Sequence, residues 1–477
     1  MIVKNNKDEF QSYLTDASNL QGNATELSIP ESKIELQELI KNLYSKNIEF
    51  TISAGGTGTT GSKVPMGGVM ISMEKLNKMI DFDMLNKTIT LEAGYRLIDL
   101  QNLLKEHNLF LPPNPTETWS MIGGNISTNA SGSRSFKYGS MRKFVLCLEI
   151  LLPNGEIIKL DRTQNTINNN YLLQSVDNVY SFEFQESQLQ KVKNASGYYL
   201  KPNMSLLDLF IGAEGTLGVI TEITYQVIDL PQVRIGIVSF FEKDANLLNY
   251  VSNLRIDSKF KPTLIEYFDI NCLNILKKEI PSLPENSISA IWIEIELTNE
   301  EIDQAIEYHF EKIQECTIYS DETMLLQTEN EMAKFDAYRH SIPLFVNDFI
   351  TKYGSRKLGT DSAVPSEYFS DYFEFIKSKL EASGLEFVVF GHIGDCHLHA
   401  NILAKSQTEY DFGRAIYKEF MLKAIELQGT VSAEHGIGKL KREYLKLMLG
   451  EEIYTMHKSI KTLFDSKNLL NKGNLFD

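Results

Sequence analysis

SAGGTGTTGSKVP (53–65) contains Gly56-x-Gly58-x-x-Gly61, the literal spacing of the Rossmann dinucleotide fingerprint. That fingerprint works only where a helix opens directly after the glycines, so that a pyrophosphate caps the helix N-terminus. Here Pro65, Gly67 and Gly68 come next, and the chain then runs into an apolar strand, GVMISM (68–73). No helix can start there, and a Rossmann architecture is excluded. A glycine-rich loop with small hydroxyl residues still has a use, because its backbone N–H groups can crowd around a pyrophosphate as an anion nest. Taken alone, the stretch reads better as a flexible surface loop.

It has company. PPNPTETWSMIGGNISTNASGSRSFKYG (112–139) is a second long run of small polar residues with little capacity to form a core, and GAEGTLG (212–218) is a third. Each lies beside a strand, which suits one extended ligand crossing several loops. Before the first loop, Ser32-Lys33-Ile34-Glu35 has the form of a capping box, and Ile34, Leu36, Leu39, Ile40 and Leu43 make an apolar stripe. IEFTIS (48–53), GVMISM and KTITLEAG (87–94) read as strands, and LCLEILLPNGEIIKL (146–160) as a hairpin turning at Asn154-Gly155. LFIGAEGTLGVITEITYQV (209–227) reads as strand-rich with a tight glycine insert. After Pro231 the pattern becomes strand, helix, strand (RIGIVSFF, ANLLNYVSNL, TLIEYFD), then the alternating SAIWIEIEL (289–297) and an amphipathic helix. The expected class is α+β, with a first domain over 1–230, a second over 231–420 built on an antiparallel sheet, and a C-terminal helical segment over 421–477.

The 477 residues carry 63 acidic and 47 basic side chains, a formal net charge of −16. Nucleic acid and anionic membranes need a positive footprint and are not expected partners. An anionic cofactor or substrate needs a local cluster of donors. The N-terminus does not read as a signal peptide, and no apolar run reaches the ~20 residues that span a bilayer. Cytoplasmic location is expected, with peripheral membrane association as the alternative. Cys147, Cys272, Cys316 and Cys396 are too scattered for a CxxC zinc or iron–sulfur site.

GHIGDCHLHANI (391–402) gathers three of the eight histidines. FVVF (387–390) and HLHANIL (397–403) read as strands joined by a two-residue turn at Gly394-Asp395. His392 then faces His397, with His399 and Asn401 further along the same side. Imidazoles on one face of a rigid hairpin can converge on a cation. Glu434 and His435 stand together in a loop relaxed by Gly436 and Gly438.

Seven stretches in order, GGTGTTGSKVP, IGGNISTNASGSRSFKYG, KNASGYYL, FIGAEGTLGVIT, TDSAVP, GHIGDCHLH and AEHGIGKLKREYL, make the chain resemble flavoproteins of the vanillyl-alcohol-oxidase type. Within them it is similar to the glycolate oxidase D-subunit, D-lactate and D-2-hydroxyglutarate dehydrogenase branch. The resemblance implies FAD in an N-terminal α+β (PCMH-type) domain under a cap. It implies cofactor contacts from Ala54, Gly55, Gly56, Thr57, Gly58, Thr59, Thr60 and Gly61, from Ile122, Gly123, Asn125, Thr128, Ser131, Gly132 and Tyr138, and from Glu214, Gly215 and Ile220. Some relatives anchor FAD through a histidine near the first loop. Here Thr57 and Thr59 stand there and no histidine precedes His107, so noncovalent FAD is expected.

The resemblance further assigns His392, His399 and Glu434 to a divalent metal, zinc or else manganese or iron. His435 becomes the base, Arg339 grips a substrate carboxylate, and Asn401 completes the catalytic set. Cys396 and His397 stand where relatives carry a glycine and an asparagine, which leaves open whether either joins the metal. Gly359 replaces the lysine of dicarboxylate-specific relatives, with Lys357 nearby. The implied activity is oxidation of a D-2-hydroxy acid such as D-lactate or glycolate to the 2-oxo acid. Electrons would leave to a quinone, oxygen or a redox partner protein, and a homodimer is allowed. Two rivals stand beside it: a redox-neutral flavin transferase resembling alkyldihydroxyacetonephosphate synthase, and a non-catalytic flavin subunit of an electron-transfer complex.

Overall fold

A helix does form at Lys33–Ser45, and Ser32 caps it by accepting from Glu35 N. The capping box is only half made, because Glu35 reaches past Ser32 to Glu31 N (2.8 Å). Leu36, Leu39, Ile40 and Leu43 are buried, but Ile34 is 69% exposed. Two residues before Leu36, it points about 200° away from it around the helix, out of the stripe. The computed structural model describes residues 1–187, 192–256 and 259–477.

The strands Phe50–Ser53 and Val69–Ser72 lie side by side in parallel, joined by the glycine loop with no helix between them. They form a four-stranded sheet with Glu26–Ile29 and Ile2–Lys4. A second sheet of five antiparallel strands runs Met79–Asp83, Thr88–Glu92, Val219–Gln226, Val145–Leu151 and Ile157–Asp161. The glycine insert before Val219–Gln226 is not strand, and it carries Glu214 at φ 52°.

The 112–139 stretch departs from expectation, since it does contribute to the core. A short helix, Ile122–Ser127, buries Ile122 and Ile126 completely. Its small residues serve close approach: a Cβ on Gly123 would lie 2.6 Å from that of Ala93.

From Val233 onward the strands belong to one eight-stranded, antiparallel sheet, in which Val233–Phe241, Ser289–Leu297, Leu264–Asp269, Glu386–Gly391 and His397–Leu403 are successive neighbours. Helices Asp244–Ile256, Ile302–Gln314, Glu329–Tyr353 and Phe369–Ser383 accompany it. Ser289–Leu297 is covered on both faces: Ile291, Ile293 and Ile295 lie in one apolar cluster, Ala290 and Trp292 in another. Its Glu294 pairs with Arg134 (3.2 Å) and its Glu296 with Lys137 (2.6 Å), tying this sheet to the 112–139 segment. The helix Arg442–Phe464 breaks at Gly450, and the chain then returns to the first sheet. Leu470 bridges Phe50, and Asn471 Oδ1 accepts from Ile52 N (2.8 Å). Among the described residues, no helix is long and apolar enough to cross a membrane.

Two histidines outside any cluster are wholly buried. Burial pushes His309 down to about 4 and His457 down to about 3. Their folded forms refuse a proton that the unfolded chain accepts near pH 6.5, so stability is present above that pH and drains away as pH falls toward 4. Thermal midpoints recorded from pH 7 to 4 should fall, and His457→Gln should make the fall shallower. An unchanged slope in that variant assigns the pH dependence elsewhere.

Candidate active site

The hairpin register pairs Phe390 with His399, which sets His392 opposite His397 as the sequence predicts. The turn differs. A two-residue turn is replaced by a 3-10 turn, Ile393–Asp395, followed by Cys396 at φ 54°. Asp395 N and His397 N both donate to His392 O (2.9 and 3.3 Å), so the chain needs one left-handed residue to close, and it falls on Cys396. Burial pushes that thiol up to about 12, and its sulfur is absent from the converging ligand atoms.

Those atoms come from His392, His397, His399 and Glu434, all within 4.8 Å of one another. Glu434 Oε2 lies 3.2 Å from His392 Nε2 and 3.9 Å from His399 Nε2. Its Oε1 accepts from Ser131 Oγ and Gly132 N, both at 2.9 Å, and contacts the Lys193 ammonium. Lys193 also meets Asp395 Oδ2 (3.3 Å) and donates to Gly132 O (3.2 Å). His397 is fully buried and lies 3.1 Å from Asp361 Oδ1, but out of alignment, so neither ring nitrogen makes a hydrogen bond. Burial disfavours charge on His392, yet Glu266 and Glu434 hold its imidazolium up to about 9. His399, buried beside three other imidazoles, is held well below the ordinary range. Three imidazoles and one carboxylate form a donor set that fits a divalent metal of the zinc, manganese or iron kind.

Two buried carboxylates that the sequence does not single out organise this cluster. Glu266 contacts His392 Nδ1 and accepts from Arg339 Nε (3.2 Å) and Nη2 (3.1 Å). These cations hold it at about 2 against burial. A carboxylate behind an imidazole fixes the ring's tautomer and aims its other nitrogen. Asp361 accepts from Glu434 N (3.2 Å), His435 N (3.0 Å), Ser432 Oγ (2.5 Å) and Lys441 Nζ (2.9 Å), and so shapes the loop that carries Glu434 and His435. The only hint in the sequence is a lone glutamate inside the strand TLIEYFD and the aspartate of TDSAVP.

His435 stacks on His399 at 5.4 Å, with Nδ1 3.5 Å from Asp361 Oδ2. Burial lowers it to about 4 despite Asp361, so it is neutral at pH 7. Arg339 keeps Nη1 clear of Glu266, 3.5 Å from Thr116 Oγ1. Asn401 shares the face of His397 and His399, but its amide donates to His399 O (3.1 Å).

His435 also lines a glycine-walled cleft beside the loop of residues 53–65. Ala54, Gly55, Gly56, Thr57, Gly58, Thr60, Gly123, Asn125, Thr128, Glu214, Gly215 and Ile220 line it too. Thr59, Gly61, Ile122, Ser131, Gly132 and Tyr138 do not: Ser131 and Gly132 hold Glu434 instead, and the Tyr138 hydroxyl turns to Glu296. Glu214 Oε2 accepts from Ser62 Oγ (2.6 Å) and Gly438 N (2.8 Å) and its Oε1 from Ile437 N (2.6 Å), so it splices the glycine loop to the C-terminal segment. Among the described residues, Asp16 Oδ2, Ser120 Oγ and Asn125 Nδ2 are buried against this cleft without hydrogen-bond partners. Unsatisfied polar atoms in a glycine-walled cleft suit a polar ligand.

Residues 26–161 match the FAD binding domain, and residues 230–475 match the C-terminal domain of the FAD linked oxidases, more than half of the chain. The chain belongs to the FAD-linked oxidases. This FAD-linked oxidase is 28% identical over 457 residues to a D-lactate dehydrogenase of Anaerostipes hadrus, covering 92% of this chain and 87% of the relative. It is 27% identical to the glycolate oxidase subunit GlcD of Bacillus subtilis (strain 168), covering 94% and 88%. It is 29% identical to a D-2-hydroxyglutarate dehydrogenase of Xanthomonas citri pv. viticola, covering 95% and 90%. In fold it is similar to a solved alkyldihydroxyacetonephosphate synthase, with TM-score 0.66 over 98% of this chain and 82% of that one at 16% identity.

Removing Glu266 would strand the buried Arg339 guanidinium. Glu266→Ala should cost about 3–5 kcal/mol, as expected for breaking a buried pair, and lower the thermal midpoint of the FAD-loaded enzyme. An unchanged midpoint means that this pair contributes nothing to stability.

Proposed function

We propose that the enzyme oxidises a D-2-hydroxy acid of the size of lactate or glycolate to the 2-oxo acid. One observation carries the reading: a cluster of imidazoles and a carboxylate meets a neutral histidine, His435, at the wall of the glycine-lined cleft. The relatives named for D-lactate, glycolate and D-2-hydroxyglutarate support the substrate class. FAD, when bound, supplies the acceptor for the Cα hydrogen and its electron pair. A divalent metal at His392, His399 and Glu434, with His397 as a fourth donor, would supply Lewis acidity toward the substrate oxygens.

His435 accepts the hydroxyl proton. With Nδ1 turned to Asp361, its Nε2 is the nitrogen left for the substrate. Arg339 offers Nη1 to the substrate carboxylate while Glu266 holds the rest of its guanidinium. Asn401 lies on the same face of the hairpin as the imidazoles and completes its polar wall. The residues lining the cleft hold FAD without a covalent link, since threonines stand where some relatives carry the anchoring histidine. Electrons leave to a quinone, oxygen or a redox partner. A cytoplasmic enzyme, monomeric or dimeric, satisfies this reading.

The redox-neutral alternative has the shared fold of alkyldihydroxyacetonephosphate synthase in its favour. The alternation His397-Leu398-His399 speaks against it, because that enzyme type typically carries consecutive histidines.

Anaerobic mixing with D-lactate or glycolate should bleach the flavin, while L-lactate should not. His435→Asn should keep FAD and slow the bleaching by ~10²–10⁴-fold, the usual loss for a general base. Failure of every D-2-hydroxy acid to bleach the wild-type flavin would overturn the oxidation reading.

His392→Ala and Glu434→Ala should each lose bound divalent metal while keeping full FAD, which acid precipitation then releases entirely into solution. Elemental analysis and the colour of the pellet decide the two points separately. Undiminished metal in both variants would move the metal elsewhere, and a yellow pellet would mean a covalent link.

A further inference from the structure

A net charge of −16 sets a problem for a cofactor with an anionic diphosphate. A nest of backbone N–H groups offers only partial charges, and the long-range field of an acidic chain opposes the anion. We propose that Lys63 is the charge partner of the FAD diphosphate.

The geometry is specific. Lys63 lines the glycine-walled cleft, and its Nζ lies 2.7 Å from where a Cβ on Gly56 would stand, over the middle of the loop. Gly56 has φ 75°, so glycine is required there for the backbone as well as for the ammonium. The ammonium stands 5.7 Å from the centroid of the Tyr13 ring, and among the described residues it has no ion pair and no hydrogen bond. Of the other charged groups around the loop, Lys439 and Glu214 are already engaged, while Asp16 keeps one oxygen open. Lys439, packed on Gly61, donates to Gly61 O, Ser62 O and Asn474 Oδ1. The Glu214 oxygens accept from Ser62, Ile437 and Gly438. Asp16 gives Oδ1 to Ser18 N and Oγ, while its Oδ2, buried and without a hydrogen-bond partner, lies 3.9 Å from where a Cβ on Gly58 would stand.

Lys63 is thus the full positive charge that the loop presents to the cleft. Burial pulls its ammonium below the ordinary range, with Asp16 acting against that, and an arriving diphosphate would restore it. A lysine serves phosphate as a movable point charge, a task that the glycines cannot take over. The inference rests on FAD lying in this cleft.

The test compares FAD with riboflavin, which lacks the diphosphate, on the full chain after flavin exchange. Lys63→Met should weaken FAD roughly 10- to 100-fold and leave riboflavin unchanged, with Lys63→Arg recovering most of the loss. Equal weakening of both flavins, or no weakening of FAD, overturns the proposal. Salt gives a second readout that needs no variant. Wild-type FAD affinity should fall as NaCl rises, because a local cation is being screened. Affinity that rises with salt, as screening of a net negative chain alone would produce, also overturns it. Thr57→Trp, which projects a large ring from the lining of the cleft, should block both flavins. If both flavins still bind that variant, the cleft itself has been misassigned. If they do not, and Lys63→Met is neutral, the failure is that of Lys63 alone.

Discussion

The Glu434 carboxylate is shared between two halves of the molecule, and the site depends on that division. One oxygen is fixed by Ser131, Gly132 and Lys193 from the first domain, the other faces His392 and His399 on the cap hairpin. Neither half can build the cluster alone. The position of the imidazoles relative to the glycine-walled cleft is therefore set by one side chain from a third segment, the loop of residues 432–438. Every other feature of the site supports that placement.

The support is electrostatic and costly. Glu266, Asp361, Lys193, Lys441 and Arg339 are taken almost entirely out of water. Burying such charges is tolerable only because each is paired and hydrogen-bonded, and an apolar packing of the same volume is often at least as stable. The network does supply a set of rings whose directions are fixed before any ligand arrives. Glu266 and Asp361 each stand beside Nδ1 of one histidine, leaving Nε2 of His392 aimed at Glu434.

Much of this is legible from spacing. Pro65 and the strand after it separate the glycine loop from a Rossmann site, and period-2 alternation sets the hairpin register that brings His392, His397 and His399 together. Where sequence reasoning fails, tertiary contacts override local signals. Residues 112–139 look like a coreless loop because small residues signal flexibility as readily as close packing, and only the neighbouring Ala93 decides between them. Glu266 and Asp361 escape notice because an acid on a strand or after a threonine is most often solvated. Their importance comes from partners 71 to 126 residues away in sequence. Lys63 stands inside the glycine motif with no role readable there, since nothing local shows which way a lysine in such a loop will turn.

The return of the chain to its first sheet has a consequence for synthesis. Leu470 bridges Phe50, Asn471 caps the strand beside the glycine loop, and both Asn471 and His435 line the glycine-walled cleft. A ribosome delivers residues 50–60 long before these partners exist. The first domain must wait, its cleft wall unfinished, while some four hundred residues are added, a loop closure of high contact order and slow search. Completion of the cleft wall is thereby deferred to the end of translation, and a chain truncated anywhere before residue 435 lacks both of these lining residues.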